Sequence, residues 1–596
     1  MNKGVCKRGI FGFRVVSPSM RHLPLSSKNT LLAGFGGLMV VLVFIAFGRS
    51  IVQDFSPIDD HFLIINNLAI RGITIENLRT IFTTFDPELY IPLTFLSFQI
   101  NYLVSGLHPW SYHLANLLLH MINAGLVAAL MWKLTRHRWI ALLCALVFAV
   151  HTLHTEAVVW VAGRKDLLST FFFLLSLLSY MMWKENKKTG YMLSILCLLL
   201  GVLSKVSVAV LPAILLLWDL TYSKKPLHFK LITEKIPHIL IGAGALAVAI
   251  FGKERVLGSA TILETILMAG RSTFFYVGKF FLPLKLSPYY DFGGTIAIGD
   301  PAFLFPILIM IMLMIISVLW MKKRPELSFA ALFFLITLAP NFFNFRKGAL
   351  SFIAVDRYAY IPSIGLLLGL ALLLGWGVSK ITFTTHRKLI AASCSTVLVT
   401  TLVLLSRAQA AVWDSPHTLF THALRVNPAS IPARVDLATL KRKSGNLQEA
   451  FDLLKAGLNY SDHPLLYRSA GLILALDGRI DDAREQFEKS ASMDPANPEP
   501  IFDLGSLAEK LGNEDEAMAK YRQAIGLDDS YVIAHVKLGL LLAKRDQHAE
   551  ALQEFKKALK WNTNSLEANA AMGELLMKEG KPEEAKVFLD RAKRLR

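Results

Sequence analysis

The sequence is poor in cysteine and in charged residues. Its 596 residues include four cysteines, and Asp, Glu, Lys and Arg make up only 18% of the chain, whereas roughly 25% is usual for soluble domains. The cysteines lie near the N-terminus or inside apolar stretches, at Cys6, Cys144, Cys197 and Cys394, so no disulfide framework is expected. The shortage of charge, with 54% hydrophobic residues, excludes an ordinary soluble protein and indicates a membrane protein.

Acidic residues are absent from the first 30 positions, which carry six basic residues before the apolar run 31–47. By the positive-inside rule, 1–30 is predicted to be a cytoplasmic tail followed by an uncleaved first span. A cleavable signal peptide is the alternative, but the long basic lead disfavours it. The formal net charge is +18, yet 407–596 holds 27 basic and 28 acidic residues. The basic excess therefore sets membrane topology and does not indicate nucleic-acid binding.

Further apolar stretches bring the predicted number of spans to about eleven. They lie near 112–132, 138–151, 167–183, 190–204, 207–222, 237–252, 302–320, 327–341, 358–377 and 389–405. Basic clusters at 133–138, 184–188, 224–235, 322–324 and 380–388 fall on the side of the tail, provided that 90–105 and 263–282 do not cross. We expect those two amphipathic segments to lie in the outer interface.

A 34-residue period begins where the composition turns polar. Gly471, Gly505, Gly539 and Gly573 recur at this spacing, as do Ala483, Ala517, Ala551 and Ala585. Small residues at two fixed points let paired helices cross closely, and the period is that of the tetratricopeptide repeat. The chain is therefore predicted to be all-α: a polytopic membrane helix bundle over 31–406 with an acidic first outer loop at 51–111, a linker and half-repeat at 407–430, and a five-repeat α-solenoid at 431–596. With an odd number of spans, the repeats lie on the outer side.

Two adjacent carboxylates, Asp59 and Asp60, open the first outer loop and precede His61. A neighbouring negative charge raises one carboxyl pKa, which suits a general base. An Asp-rich turn also commonly begins a helix, and the residue pattern alone favours that structural role.

Polar residues follow one face of the second span at i, i+3, i+7 and i+10, namely His113, Asn116, His120 and Asn123. Such stripes usually form hydrogen bonds with neighbouring helices, and packing is the favoured interpretation.

A polar connection follows the third span. His151, His154 and Glu156 could ligate a metal, but their order lacks a recognised ligand spacing, so no metal site is assigned and a divalent metal is left open. Arg164 and Lys165, followed by Asp166, fit a lipid phosphate better, although a general headgroup anchor is the alternative.

Two more cations are placed at outer helix ends, Lys205 and Arg357. Together with Arg164 they would make a pocket for an anion. Arg357 has an alternative partner in the adjacent Asp356, and the residues alone do not choose between the two.

Several stretches resemble the transmembrane-and-tetratricopeptide-repeat family of O-mannosyltransferases and its bacterial relatives, in the GT-C glycosyltransferase class. They are Asp59-Asp-His-Phe-Leu-Ile-Ile-Asn66, Pro92-Leu-Thr-Phe-Leu-Ser97, His108-Pro-Trp-Ser-Tyr-His-Leu-Ala-Asn-Leu-Leu-Leu-His120, His151-Thr-Leu-His-Thr-Glu-Ala-Val-Val-Trp160, Arg164-Lys-Asp-Leu-Leu168 and Asp356-Arg-Tyr-Ala-Tyr-Ile-Pro-Ser363. The resemblance implies a catalytic acid in the first outer loop, a juxtamembrane helix and a polyprenyl-phosphate sugar donor. It reverses the weighting for Asp59 and Asp60 in favour of catalysis. Ile91 and Thr152 depart from residues common in the relatives, and Ile91 leaves donor choice in doubt.

The expected function is transfer of one sugar, a hexose such as mannose, from a polyprenyl phosphate to a protein or glycan hydroxyl on the non-cytoplasmic side. Asp59 or Asp60 would be the base, Arg164, Lys165, Lys205 and Arg357 would hold the lipid phosphate, and the repeats would dock an acceptor protein. The expected location is the bacterial inner membrane with the N-terminus cytoplasmic and the repeats periplasmic, or lumenal in a eukaryote. The alternatives are a non-enzymatic membrane scaffold that recruits envelope proteins and a flippase for lipid-linked sugars.

Overall fold

The computed structural model describes residues 25–83, 85, 90–222, 229–253, 260–379 and 384–595. These ranges are almost wholly helical, which confirms the predicted all-α class. Most of the predicted tail at 1–30, together with Cys6 and parts of the predicted loops, lies outside the described residues.

Sixteen α-helices of the described ranges precede the repeats, and each predicted apolar stretch coincides with one of them. They are α1 (Leu25–Phe47), α2 (Ile75–Thr83), α3 (Pro92–Ser105), α4 (Trp110–Thr135), α5 (Arg138–Val150), α6 (Thr155–Val159), α7 (Arg164–Lys184), α8 (Thr189–Ser204), α9 (Leu211–Thr221), α10 (Phe229–Thr233), α11 (Ile236–Lys253), α12 (Ile262–Phe281), α13 (Pro301–Leu319), α14 (Pro325–Leu338), α15 (Ser363–Ser379) and α16 (Thr384–Ala411).

Six helical segments of the described chain are long and apolar enough to cross a membrane, and a seventh arises if α5 and the helical segment Thr152–Val159, bent by 51°, count as one span. Before the repeats, four shorter apolar helices of the described chain cover Thr189–Ser204, Val206–Thr221, Ile236–Gly252 and Ser363–Trp376. The chain is therefore a membrane protein with several spanning helices, and the number eleven stays a prediction.

Contacts between helix ends agree with alternating directions through the bundle. Arg49, just after α1, donates from Nε to Asp414 Oδ1 beyond α16 at 2.7 Å. Lys133, near the end of α4, contacts Glu185 after α7 at 2.8 Å. The predicted even-numbered spans α4 and α7 thus end on one side together, as do the odd-numbered α1 and α16.

The two predicted interfacial segments are the helices α3 and α12, and neither is among the described helices long and apolar enough to span. On α12, Ile266 and Phe274 are exposed while Leu267 and Tyr276 are buried, which is the two-faced pattern of an interfacial helix. Their position in the interface stays a prediction.

A small antiparallel sheet was not predicted. Its strands are β1 (Tyr290–Asp291), β2 (Arg346–Lys347) and β3 (Leu350–Ala354), in the order β1-β3-β2. Gly348, with φ of +53°, begins the tight turn that joins β2 to β3. Strands of two residues leave no alternation to detect, yet β3 leads directly into the turn that carries Arg357.

The C-terminal region is the predicted solenoid. A half-repeat helix α17 (Pro416–Val426) precedes five helix pairs: α18 (Ile431–Lys443) with α19 (Leu447–Leu458), α20 (Pro464–Leu476) with α21 (Ile480–Met493), α22 (Pro498–Lys510) with α23 (Glu514–Leu527), α24 (Val532–Lys544) with α25 (His548–Trp561), and α26 (Leu566–Lys578) with α27 (Pro582–Leu595). The glycines explain the period. A methyl group added to Gly471, Gly505 or Gly539 would lie 2.6, 2.8 or 2.5 Å from the ring of the second helix in its pair.

Gly539→Ala should therefore destabilise the array by about 1–3 kcal/mol, because the added methyl overpacks the buried Phe555 ring. Gly526→Ala is the matched control, since it lies in α23 with nothing within 4 Å of an added Cβ. The control should be neutral or stabilise by up to about 1 kcal/mol. The measurement is thermal unfolding of the full chain in detergent, with proteolysis reporting on the array. Equal melting of the two variants would contradict this packing.

Candidate active site

The two adjacent carboxylates occupy different environments. Asp60 is fully buried. Its two oxygens accept main-chain N–H groups, Oδ2 from Ser56 at 2.8 Å and Oδ1 from Ala162 at 3.0 Å. Asp60 thus joins the first outer loop to the connection before α7, which is a structural role. Burial and the charge of Asp59 raise the pKa of the Asp60 carboxyl, whereas the two hydrogen bonds lower it. The result is a pKa of about 7.

Asp59 faces the open side of the same turn, with its side chain 39% exposed and its Oδ2 at 3.5 Å from Lys165 Nζ. Partial burial raises the pKa of the Asp59 carboxyl, but Lys165, Arg357 and Lys347 together bring it below its ordinary value. The pair is therefore split into one carboxylate that stays ionised and one that titrates near neutrality, as in sites where two acids have different tasks.

The raised pKa of Asp60 predicts a pH dependence of stability. A carboxyl whose folded pKa lies above its unfolded value of 3.8 stabilises the fold fully below pH 3.8, and this contribution is lost as the pH rises through about 7. The unfolding midpoint of the native chain should therefore fall between pH 5 and pH 8. Asp60→Asn should show a smaller fall, because an amide does not ionise. A fall of equal size in both proteins would contradict the assignment.

Three cations converge on two aromatic rings. Lys165 Nζ and Arg357 Cζ lie 5.0 and 4.8 Å from the centroid of the Trp160 ring. Lys205 Nζ and the same guanidinium lie 5.0 and 5.2 Å from the Tyr358 ring. Cations attracted to the faces of shared rings can stay close to one another despite their repulsion. We call Lys165, Lys205 and Arg357 the cation cluster.

Each member of the cation cluster has an acidic neighbour. Lys165 faces Asp59, Lys205 Nζ contacts Asp166 Oδ1 at 2.5 Å, and Arg357 is paired with Glu156. The Arg357 main-chain N–H also donates to Glu156 Oε2 at 2.9 Å. The contact between Lys165 and Asp59 is the longest of the three, so it is the one that a ligand breaks most easily.

The alternative pairing of Arg357 with Asp356 is wrong. Asp356 is buried and accepts the Tyr290 hydroxyl at 2.9 Å, while Arg357 turns to Glu156. Burial lowers the pKa of Arg357, but Glu156 and neighbouring acids raise it above its usual value, so the guanidinium stays charged.

A cleft opens beside the cation cluster. Its open space, mouth included, is about 340 Å³. Lys205, Arg357 and Asp166 line it together with apolar side chains such as Phe173, Val208 and Ile361 and with polar ones such as Asn341. A lining that combines cations with apolar side chains suits an amphiphilic anion, which has a charged group and an apolar chain.

Arg164 lies apart from the cation cluster. Its guanidinium donates to Asn116 Oδ1, to Asn101 Oδ1 at 3.1 Å, to Ser97 Oγ at 3.2 Å and to the Tyr112 main-chain oxygen at 2.7 Å. These partners belong to α3 and α4, so Arg164 holds the juxtamembrane helix against the bundle. Phosphate binding by this side chain, one of the four expected contacts, has no support from its geometry.

His151 and His154 have hydrogen-bond partners within the protein. His154 pairs its two ring nitrogens with the Phe148 carbonyl and the Ser363 hydroxyl, both at 2.9 Å. His151 pairs with the Phe280 carbonyl at 3.0 Å and the Leu153 N–H at 3.2 Å. His61 is exposed at the start of a π-helical turn, His61–Ile65. In the described chain, no three His, Cys, Asp or Glu side chains are grouped to hold a metal.

The polar stripe of α4 makes packing contacts, as its spacing suggested. Asn116 donates to the Trp160 carbonyl and Asn123 to the Leu167 carbonyl, both at 2.9 Å. His120 lies between the Tyr360 hydroxyl at 2.7 Å and the Ala149 carbonyl at 2.9 Å. His113 is buried on the same face. Asn116, His120 and Asn123 tie α4 to its neighbours.

Sequence reasoning missed four side chains around Asp59 and the cation cluster. The rings of Trp160 and Tyr358 make cation–π contacts with the cation cluster, and Lys347 lies near enough to lower the pKa of Asp59. Tyr289 lies near Asp59 and donates to Asp436 of the first repeat at 2.8 Å. Trp160 and Tyr358 could have been found from the sequence, because each lies in a quoted motif next to predicted polar residues. Lys347 and Tyr289 could not, because they lie in or beside the short strands, which have no recognisable sequence pattern.

Two lysines assigned to the predicted cytoplasmic side are paired with acids: Lys235 is buried and Lys184 is partly buried. Lys235 contacts Asp219 Oδ2 at 2.5 Å, and Lys184 contacts Glu234 at 2.5 Å. Their charges are paired inside the protein, so they contribute less to the basic character of that side than their number suggests.

Comparison with known proteins identifies the repeats and finds relatives of the chain. Tetratricopeptide-repeat family patterns match residues 435–498, 502–565 and 542–595, which confirms the repeats. The crystal structure of MamA covers 27% of this chain and 94% of its own, with 22% identity and a TM-score of 0.23. The tetratricopeptide-repeat protein YrrB covers 30% and 92%, also with 22% identity and a TM-score of 0.23.

Three relatives share a common description. Protein O-mannosyl-transferase tmtc2 of Xenopus laevis is 49% identical over 111 residues, 19% of this chain and 13% of that protein. Human TMTC2 is 44% identical over 102 residues, 17% and 12%, and human TMTC1 is 32% identical over 158 residues, 25% and 18%. The chain thus matches about an eighth to a sixth of the length of these relatives. It carries a tetratricopeptide-repeat array and is homologous, over part of its length, to the TMTC protein O-mannosyl-transferases, a transmembrane and tetratricopeptide-repeat family.

Proposed function

We propose that the protein is a membrane glycosyltransferase of the GT-C type that moves one hexose, mannose by preference, from a polyprenyl-phosphate carrier to a protein hydroxyl. The observation that carries the proposal is that Lys205 and Arg357 of the cation cluster line a partly apolar cleft, while Lys165 of the same cluster contacts an ionised, partly exposed carboxylate. The names of the homologues support the same reaction class.

The cleft supports a lipid-linked donor. A phosphate on Lys205 and Arg357 would meet two cations whose positions are held by the Tyr358 ring, and the apolar side chains of the cleft would accept the first units of an isoprenoid chain. A free sugar nucleotide has no apolar tail to match these side chains. Preorganised cations at the leaving group stabilise the charge that grows there during transfer.

Asp59 is the better placed of the two acids to act as the base. Its carboxylate is exposed and ionised, whereas Asp60 is buried and holds two main-chain N–H groups. An Asp59 oxygen would accept the proton of the acceptor hydroxyl, and the oxygen of that hydroxyl would attack the anomeric carbon. The bond from this carbon to the phosphate oxygen breaks, and polyprenyl phosphate leaves with the bonding electron pair. Attack from the side opposite the phosphate inverts the anomeric configuration.

The breaking of the contact between Lys165 and Asp59 fits this sequence of events. Lys165 keeps Asp59 ionised while the site is empty of acceptor. Lys165 and Arg357 contact the same Trp160 ring, so Lys165 would join Arg357 in neutralising the leaving phosphate as its charge grows. In that step Asp59 would gain the proton of the acceptor, and Lys165 would leave Asp59 for the phosphate.

The acceptor is proposed to be a polypeptide that the repeats hold on the outer side. The first repeat reaches the site directly, since Asp436 binds Tyr289, which lies near Asp59. We propose the non-cytoplasmic face of a bacterial inner membrane as the location, with the N-terminus cytoplasmic.

Mass-spectrometric profiling of envelope proteins tests this function in cells that carry the native protein, no protein, or Lys205→Ala at equal expression. Hexose-sized adducts should disappear in the null and fall strongly in the variant, because one of the two phosphate contacts is lost. An unchanged glycoprotein profile in the null would leave the scaffold or flippase alternatives in place of the transferase.

A further inference from the structure

The far end of the repeat array touches the outer loop that carries Asp59. Arg71 donates from Nη1 to the main-chain oxygen of Arg594, near the end of α27, at 2.5 Å. Its Nη2 donates to the main-chain oxygen of Ile65 at 2.7 Å. Ile65 ends the π-helical turn that begins directly after Asp60. One guanidinium therefore joins the last helix of the array to the turn next to the proposed base.

A second contact lies on the same side. Arg591 of α27 is 3.5 Å from Glu76 of α2, with side chains 25% and 70% exposed. An exposed pair of this length contributes little alone, whereas hydrogen bonds from a charged guanidinium are stronger. We call the contacts of Arg71 with Arg594 and of Glu76 with Arg591 the clasp.

The near end of the array is attached at a different place. The Ile431 N–H donates to Asp291 Oδ2 at 2.9 Å, Tyr289 donates to Asp436 at 2.8 Å, and His463 contacts the Ala349 carbonyl at 3.3 Å. Between these attachments, α21 to α24 make no hydrogen bond or ion pair with the described membrane part. The array is therefore an arch that is attached to the outer face at both ends.

We propose that the clasp is a positioning device for Asp59, with Arg71 as its positioning residue. The last repeat holds the first outer loop in place through Arg71, so the location of the base depends on the far end of the array. A solenoid bends by small rotations at every repeat, so a polypeptide seated in the arch acts on the loop through the same contacts. This inference rests on the proposed role of Asp59.

Distance measurement tests the clasp without any assay of transfer. Spin labels replace the exposed Ile75 of α2 and Val587 of α27 in the full chain, after exchange of Cys6, Cys144, Cys197 and Cys394 for alanine or serine. The native chain should give one narrow, short distance, and Arg71→Ala should broaden and lengthen it. Arg79→Ala is the matched control. Arg79 is an exposed cation of α2, the helix that carries the label at position 75, and its removal should leave the distance unchanged. A broad distribution in the native chain would overturn the clasp.

Transfer kinetics test the positioning role. Arg71→Ala should lower kcat about tenfold, the effect of losing a charge-assisted hydrogen bond at a positioned group, while the KM for the donor changes less than about twofold. Arg71→Lys keeps a charged donor and should recover most of the rate. A native kcat in Arg71→Ala, despite a lost distance, would overturn the positioning role. If the native protein transfers no sugar, the proposed function fails and the catalytic role of the clasp with it, while the distances still decide whether the clasp exists.

Discussion

Asp59→Asn should reduce sugar transfer about a thousandfold, because an amide does not accept the proton of the acceptor hydroxyl. The substitution is nearly isosteric at a side chain that is 39% exposed, so the fold should be retained. Donor binding should stay within a few-fold of the native value, since the phosphate contacts are elsewhere. The measurement is the initial rate of transfer in proteoliposomes, together with the donor concentration at half-saturation.

Asp60→Asn is the matched control for this prediction, because it makes the same chemical change one residue away. It should keep a substantial part of the transfer rate at a temperature where the protein is folded. The variant should be less stable, because an amide has one oxygen to accept the two main-chain N–H groups that Asp60 accepts. A thousandfold loss in Asp60→Asn with a native rate in Asp59→Asn would reverse the assignment of the pair.

Removal of the Arg357 charge should lower transfer about a hundredfold, the size of effect that follows loss of one charge-stabilising donor. The change is best made as Arg357→Met with Glu156→Gln. Glu156 is buried and paired with Arg357, and a lone charge left there would destabilise the protein by about 3–5 kcal/mol. The double variant should bind the donor more weakly and transfer more slowly.

An equivalent ion pair on the same face provides the control. Arg346 of β2 contacts Glu264 of α12 at 3.0 Å, and neither residue lines the cleft. Arg346→Met with Glu264→Gln should change the transfer rate less than about twofold. Similar losses in both double variants would show that the effect of Arg357 arises from general weakening of the outer face.

The helical organisation could be predicted from the sequence because its signals are long and periodic. Apolar stretches located every predicted spanning helix, and glycines 34 residues apart located the repeats. The sheet β1-β3-β2 could not be predicted, since strands of two to five residues carry too little pattern. The topology lysines Lys184 and Lys235 were misjudged in one respect, because charge counts do not show that buried acids pair with them.

The candidate site could be located from the sequence but not resolved. The family resemblance favoured Asp59 as catalytic, and cations expected beside the bilayer included Lys165, Lys205 and Arg357; the fold brings these four together. Adjacent residues in a motif can point to different places, which is why Asp60 and Arg164 could not be separated from their neighbours. The structure shows that Asp60 is buried and accepts the Ser56 and Ala162 N–H groups. It also shows that Arg164 is engaged by α3 and α4.

Reconstitution of the purified chain with its proposed donor tests the central claim most directly. Proteoliposomes containing polyprenyl-phosphate-linked mannose, radiolabelled in the sugar, would be given envelope proteins from a null strain. We predict that label moves to protein and that one polyprenyl phosphate is released for each sugar transferred, with Asp59→Asn inactive. Label that stays on the lipid, or that crosses the bilayer without reaching protein, would contradict the account.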